Sequence, residues 1–385
     1  MPVEAMAAAT GTATMEITVS KFELLRELTA TQGVVERKTT IPILSNYLFE
    51  ASGDKLSLTA TDLDLSLRTA CSAKVKKEGS CTIPARKLYD YVKLLPDADI
   101  TIKLLENHWI SIRCGRSNTK MVGMARSNFP TLPGLPGVGV IKIPALVLRG
   151  MIAKTGFAIA SEESRYTLNG ALMVLKPESI IMVATDGHRL AHVERSGEKF
   201  EGVSGELKTL IPKKAMDELR SLLDSTDAET IDFAKDESTL YFRIGPRLLT
   251  SRQLTGQFPN FEAVLPKDNN KSVTLPGNDL GAAISRVAQF ADERSRAVRL
   301  RMEKGELKLS ASSTETGESE DTIETSYQGD SLTVGFNAQY ILDFLKAVGA
   351  GDVKLEFKDA QSAGQLRPAD SEDYRYRYIV MPMRI

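Results

Sequence analysis

Apolar residues recur along this chain with two periods, and segments of each kind alternate. Leu88, Tyr91, Val92 and Leu95 fall at i, i+3, i+4 and i+7, the stripe of a helix lying on a core. Pro84 precedes them and suits a first helical turn, where its missing N–H has no partner to lose. The same offsets from Pro212 give Met216, Leu219, Arg220 and Leu223, and from Asn337 they give Ile341, Phe344, Leu345 and Val348. One register therefore occurs three times, with a single arginine intruding. Three more helices are expected over residues 20–30, 144–160 and 276–291, with Ser20 and Asn278 as candidate N-caps. Between helices the period changes to two, as in Lys55-Leu56-Ser57-Leu58-Thr59-Ala60 and Leu65-Ser66-Leu67-Arg68, with Gly53-Asp54 at the preceding turn. Such alternation predicts half-buried antiparallel strands.

The elements belong to an internal repeat. Thr59-Ala60-Thr61-Asp62 and Val183-Ala184-Thr185-Asp186 lie 124 residues apart, Thr82-Ile83-Pro84 and Leu210-Ile211-Pro212 lie 128 apart, and Phe129-Pro130 and Phe258-Pro259 lie 129 apart. A fainter third copy contains Lys308-Leu309-Ser310-Ala311-Ser312, and Gly335-Phe336-Asn337 in place of Ile-Pro. Three units of ordinary domain size fill nearly all of the 385 residues. Links rich in proline and glycine, TLPGLPGVG at 131–139 and VLPKDNN at 264–270, divide them. The expected organisation is an extension at 1–14 and α+β domains at 15–137, 138–266 and 267–385, each with two helices and about eight strands. Three copies of one domain suggest an object with rotational symmetry.

Composition fits packed domains: 42% hydrophobic, 26% charged, formal net charge −1. No run approaches the roughly 18 apolar residues of a membrane span, and the first 14 residues lack the basic start and apolar core of a signal peptide. Cys71, Cys81 and Cys114 are too few and too scattered for a disulfide framework or metal site, so buried reduced thiols in a cytoplasmic protein are expected, and no cofactor. The charge is unevenly placed. The six helical segments hold 12 Lys or Arg against 8 Asp or Glu, leaving 37 of the 49 basic and 42 of the 50 acidic residues elsewhere. A mildly acidic chain with basic helices has arranged its field for an anion. Arg86 and Lys93, like Lys213 and Arg220, are seven apart and share a helical face.

The densest cluster of polar chemistry is Ala184-Thr185-Asp186-Gly187-His188-Arg189-Leu190-Ala191. Asp186 and His188 could form an acid/base pair in a nucleic-acid-processing enzyme such as a nuclease. Against that, there is no G-x-S-x-G, P-loop or H-E-x-x-H, and His108 and His192 show no ligand spacing. The turn also recurs without its histidine as Thr61-Asp62-Leu63-Asp64-Leu65. A structural turn is the stronger reading.

Five strings in order, IPILSN at 41–46, ATDGHRLA at 184–191, FPNFEAVLP at 258–266, GFN at 335–337 and YIVMPMRI at 378–385, resemble the bacterial sliding clamps, the beta subunits of DNA polymerase III. The resemblance covers residues 15–385. It implies three domains of the DNA-clamp fold in each chain, a homodimeric ring of six around double-stranded DNA, no catalysis of its own, and tethering of the polymerase III alpha subunit, the clamp loader delta subunit and other proteins bearing a clamp-binding motif. Elementary geometry agrees: twelve helices side by side at roughly 9 Å, less a helix radius of about 5 Å on each side, enclose a hole about 25 Å wide, whereas six would leave only about 7 Å.

Candidate DNA contacts are Arg86, Lys87, Lys93, Arg149, Lys154, Lys213, Lys214 and Arg220 on helices and Arg37 and Lys38 on a loop, with Arg165 and Tyr166 added by similarity. The contacts would be indifferent to sequence. Ser161 and Glu162 stand where other members can carry groups that touch DNA. The partner-peptide cleft implied by the family comprises Leu168, Thr185, Gly187, His188, Arg189, Leu190, Pro259, Val264, Asn337, Tyr340, Val380, Met381, Pro382, Met383 and Arg384. Methionines would give it an adaptable apolar wall. Ala263 and Ser295 replace a long basic and an aromatic side chain that can occur there. The implied dimer seam places Met121 on an edge strand against Gln289 and an exposed Phe290 at a helix end.

Overall fold

The computed structural model describes residues 14–36, 39–162, 166–197, 199–371 and 373–384. All six helices form: α1 Lys21–Thr31, α2 Ala85–Leu94, α3 Ala145–Thr155, α4 Lys213–Asp224, α5 Gly277–Val287 and α6 Ala338–Val348. The described residues form two compact units, one lying within 1–142 and 221–252 and the other within 143–220 and 253–385.

In the first unit one sheet has five strands, in the order Lys74–Lys77, Met15–Ser20, Asp99–Leu104, Trp109–Cys114 and Ser117–Val122. Seven strands of a larger sheet follow one another as Thr230–Lys235, Thr239–Ile244, Arg247–Arg252, Leu65–Ser72, Lys55–Thr61, Asn46–Ser52 and Gly79–Pro84. The repeat did not predict this continuity. Strands of adjacent copies pair directly, with Leu249 opposite Leu67 and Thr250 opposite Ser66. A buried ion pair rivets the pairing: Arg247 donates from Nε and Nη2 to the two oxygens of Glu27 on α1 at 3.0 and 3.2 Å, and Thr69 donates to the same carboxylate at 2.6 Å. Glu27 is wholly buried. Burial alone would raise its carboxyl, but Arg247, Thr69 and Arg26 outweigh that and hold it below the ordinary range.

The second unit repeats the plan. Eight strands run in the order Leu207–Pro212, Gly170–Lys176, Ser179–Thr185, Arg189–Ser196, Arg375–Val380, Gly364–Pro368, Asp352–Phe357 and Lys271–Pro276. A four-stranded sheet follows the order Gly317–Glu324, Glu306–Ser313, Ala297–Glu303 and Leu332–Asn337. The two copies again join through central strands, with Arg189 opposite Val380 and Ala191 opposite Tyr378. The Tyr378 ring stacks on Phe344 of α6 at 5.2 Å.

The helices follow their stripes. Leu88 and Val92, then Met216, Leu219 and Leu223, then Ile341, Phe344 and Leu345 are buried. Arg220 turns outward, and Leu222 takes the inward position. Ser20 caps α1, its hydroxyl accepting from Glu23 N at 3.3 Å. Asn278 is not a cap. The strand Lys271–Pro276 runs straight into α5, so the cap falls at Pro276 and Asn278 lies inside the helix. The helices expected to reach 160 and 291 end earlier, α3 at Thr155 and α5 at Val287, each continuing as a tighter 3-10 turn, Gly156–Ala158 and Ala288–Phe290. The three cysteines are free and buried. No helix among the described residues is long and apolar enough to cross a membrane.

Candidate functional site

The turn between Ser179–Thr185 and Arg189–Ser196 organises the site. Thr185 Oγ1 donates to Arg189 O at 2.6 Å and accepts from Gly187 N at 3.1 Å. Asp186 Oδ1 accepts from the backbone N–H groups of His188 and Arg189 at 2.9 and 3.0 Å, and its Oδ2 accepts from Arg189 Nε at 3.0 Å. Gly187 closes the turn at φ 90°, a region that side chains with a Cβ avoid. The carboxylate of Asp186 is thus committed to folding the turn, and His188 stands exposed on it.

Arg189 anchors the turn to α6 and α3. Its Nη1 donates to Asp343 at 2.6 Å, its Nη2 donates to Phe157 O at 2.7 Å, and the guanidinium lies 4.4 Å from the centre of the Tyr340 ring. Burial pulls this guanidinium down, while Tyr378, Asp343 and Asp186 outweigh it and hold it above its ordinary value.

Beside the turn lies an apolar hollow of about 140 Å³. Leu168, Leu190, Val264, Ile379 and Met381 supply its apolar lining, and Thr185, Gly187, Arg189, Pro259 and Phe261 complete it. The floor is a hydrophobic cluster that includes Leu172, Val183, Leu210 and Phe258, so it is held by the sheet itself. Val264 and Met381 keep 44% of their surface exposed and stand as walls rather than core. The segment carrying Met381 is fixed at both ends, Met381 N donating to His188 O at 2.9 Å and Met383 N to Gly335 O at 2.8 Å.

Of the predicted cleft residues, the hollow gathers Leu168, Thr185, Gly187, Arg189, Leu190, Pro259, Val264 and Met381. It does not include His188, Asn337, Tyr340, Val380, Pro382, Met383 or Arg384. Val380 is buried in the sheet, and Asn337 caps α6 by accepting from Gln339 N at 2.9 Å. Tyr340 supports Arg189 from beneath. Pro382 and Met383 are half-buried and Arg384 is exposed along the segment that leaves the hollow. Phe261 and Ile379 were missed. The alternation of Ile379 with Met381 along the last strand is the signal that could have found Ile379. A larger groove of about 700 Å³ is lined mainly by polar and charged side chains, Glu194, Glu356, Arg367 and Arg375 among them, with Tyr374 and Tyr376.

The basic candidates divide by exposure. Arg86, Lys87, Lys93, Arg149, Lys214 and Arg220 are exposed on their helices, as is Tyr166 in its 3-10 turn, and Lys213 is half-buried. Lys154 is half-buried with its ammonium 4.4 Å from the Tyr374 ring centre, and burial lowers its pKa. Arg37, Lys38 and Arg165 lie outside the described residues. At the expected seam, Met121 is on an edge strand, but its side chain is only 6% exposed because it faces Ile110 in its own core. Gln289 is exposed and Phe290 half-buried rather than exposed.

The chain matches three family descriptions in succession: DNA polymerase III beta subunit N-terminal domain over residues 15–133, central domain over 142–260 and C-terminal domain over 262–384. It is 36% identical over 377 residues to the beta sliding clamp of Caulobacter vibrioides, covering 96% of this chain and 100% of that one. A crystal structure of the sliding clamp of Pseudomonas aeruginosa bound to griselimycin superimposes with TM-score 0.90 at 34% identity, over 97% of this chain and 100% of the other. The sliding clamp of Bartonella birtlesii bound to griselimycin gives 0.91 at 33% identity, over 96% and 100%.

Proposed function

The chain belongs to the DNA polymerase III beta subunit family of sliding clamps, non-catalytic processivity factors of DNA replication whose partners are DNA and polymerase, and on that premise we propose how its surfaces divide the work. Family membership overturns the alternative of an enzyme working through Asp186 and His188. The turn supplies the physical reason, since Asp186 is already bonded to two backbone N–H groups and to Arg189.

The hollow beside Met381 takes the leucine and phenylalanine of a short partner peptide. The observation that carries this is an apolar recess on a rigid floor, walled by two half-exposed side chains, Val264 and Met381. Burying one such peptide side chain contributes about 1.5–3 kcal/mol. Two anchors therefore suffice for a docking that can be made and released. The polymerase III alpha subunit and the clamp loader delta subunit are the expected bearers of the peptide.

Two protomers close head to tail around duplex DNA. Two edge strands, each paired on one side only among the described residues, support this. Ser117–Val122 ends the five-stranded sheet and carries Lys120, with Trp109 and Val122 opposite each other and 42% and 51% exposed. Gly317–Glu324 ends the four-stranded sheet and carries Glu318, Glu320, Asp321 and Glu324. Such edges call for a cover, and opposite charge favours pairing one with the other in a second copy. Gln289 and Phe290 sit in the 3-10 turn that packs against Gly317–Glu324, within reach of that seam. Arg86, Lys87, Lys93, Arg149, Lys213, Lys214 and Arg220 then offer phosphate contacts that read no sequence, and Lys154, held against Tyr374, is the weakest candidate.

The test is topological. Loaded onto a nicked circular plasmid, the protein should stay through gel filtration and be lost when a restriction enzyme linearises the circle. Equal retention on circle and line would mean ordinary binding, not encirclement.

A further inference from the structure

The first unit carries a pocket of about 300 Å³ on the strands Asn46–Ser52, Lys55–Thr61 and Leu65–Ser72. These strands correspond in register to Gly170–Lys176, Ser179–Thr185 and Arg189–Ser196. Leu48 pairs with Thr59 and Thr82 as Leu172 pairs with Val183 and Leu210. Glu50 faces Ser57 as Val174 faces Ile181, and Thr59 faces Arg68 as Val183 faces His192. In the second copy this patch is filled: Val174, Ile181 and Val183 pack with Phe258 and Phe261, and His192 is covered by the Phe261 ring at 5.5 Å. In the first copy the same positions are Glu50, Ser57, Thr59 and Arg68, and the patch is open.

Arg68 is the unusual member. Its Nε is buried and has no hydrogen-bond partner, and no carboxylate among the described residues lies within ion-pair distance of its guanidinium. A charge partly removed from water and left unpaired is costly, so the pocket is built to receive an anion. Arg126 lies beside it but already holds Glu50 at 3.3 Å, which leaves one net positive charge to satisfy. The Ser57 and Thr59 hydroxyls can donate to a second oxygen. The remaining wall, Leu48, Phe129 and Leu132, is apolar.

We propose that this pocket is a second peptide-docking site, taking a carboxylate side chain next to a small apolar one, with Arg68 as the carboxylate's partner. The carboxylate fits better than a nucleic acid phosphate, because a planar fork matches the guanidinium and because an apolar wall adjoins it. The site is independent of the leucine/phenylalanine hollow, with which it shares no residue.

The test uses the full-length chain labelled with ¹⁵N-arginine, following the Arg68 Nε–H resonance during titration with acetyl-Leu-Asp-amide and, separately, acetyl-Leu-Asn-amide. The Asp probe should shift that resonance and bind at least tenfold more tightly than the Asn probe. In the Arg68→Gln variant, surface plasmon resonance should register the same tenfold loss for the Asp probe, while a Met381→Ala variant should leave its binding unchanged. Equal binding of the two probes would overturn the proposal without reference to any variant. So would an unmoved Arg68 resonance, or loss of the Asp probe's binding on Met381→Ala.

Discussion

In the turn at residues 61–65, Thr61 Oγ1 donates to Leu65 O at 3.0 Å and accepts from Leu63 N at 3.0 Å, while Asp62 Oδ1 accepts from the N–H groups of Asp64 and Leu65. The turn at 185–189 makes the same four bonds with Thr185, Asp186, Gly187, His188 and Arg189. Both third residues have positive φ, 83° at Leu63 and 90° at Gly187. The backbone demand is identical, and the second copy meets it with glycine, leaving room beside the hollow. The first copy meets it with a leucine that is 50% exposed. Its fifth residue is the buried Leu65, where the second copy has Arg189 tied to α6. One scaffold thus specifies the turn, and the side chains hung on it decide what lies beside it, an apolar hollow in the second copy and an exposed leucine in the first.

The sharpest way to break the comparison is to exchange the third residues. Gly187→Leu should cost about 1–2 kcal/mol in backbone strain and push a side chain toward the hollow, so affinity for a leucine/phenylalanine peptide should fall by about tenfold or more in calorimetric titration. Undiminished affinity would mean that the peptide does not approach the turn.

His192 and Arg68 offer a second contrast, at matching register positions. Burial first, then Arg377 and Arg375, push the His192 imidazole down to about 4. A buried neutral histidine that protonates more readily when unfolded contributes stability fully present above about pH 6.5. That stability is lost as pH falls toward 4, because the unfolded chain binds the proton first. Between pH 7 and 5 the loss should be about 2 kcal/mol, measured as urea midpoints of the second unit's transition. His192→Phe should flatten that slope, whereas Arg68→Gln should leave it alone.

The smallest effect is the reverse exchange. Leu63→Gly relieves a strained φ at the expense of a freer unfolded chain, for a net gain of about 0.5–1 kcal/mol in thermal unfolding. A loss of stability there would show that the exposed Leu63 side chain makes a contact of its own.

Much of this organisation was legible in the chain. The stripes at 88–95, 216–223 and 341–348 located three helices, and the spacing of Thr61-Asp62 and Thr185-Asp186 located the two turns, because short-range periodicity and turn chemistry are local properties. The capping role assigned to Asn278 failed on a local competition, a strand running directly into a helix through Pro276. Long-range pairings left no trace in the pattern: neither the Glu27–Arg247 ion pair nor the continuity of sheets from copy to copy follows from any spacing. The hollow was half legible. Met381 and Val264 came from resemblance, whereas Phe261 enters because its ring packs over His192, a contact only the folded sheet creates. Met121 does lie on an edge strand, and its side chain is buried because an edge strand still has one face toward its own core.

The central claim is that residues 381–385 complete the partner site and have no part in the seam. Calorimetric titration of a leucine/phenylalanine peptide into a chain ending at Val380, with ultracentrifugation of the same sample, tests it directly. The account predicts an intact dimer that no longer binds the peptide. A truncated dimer that binds with wild-type affinity would contradict it.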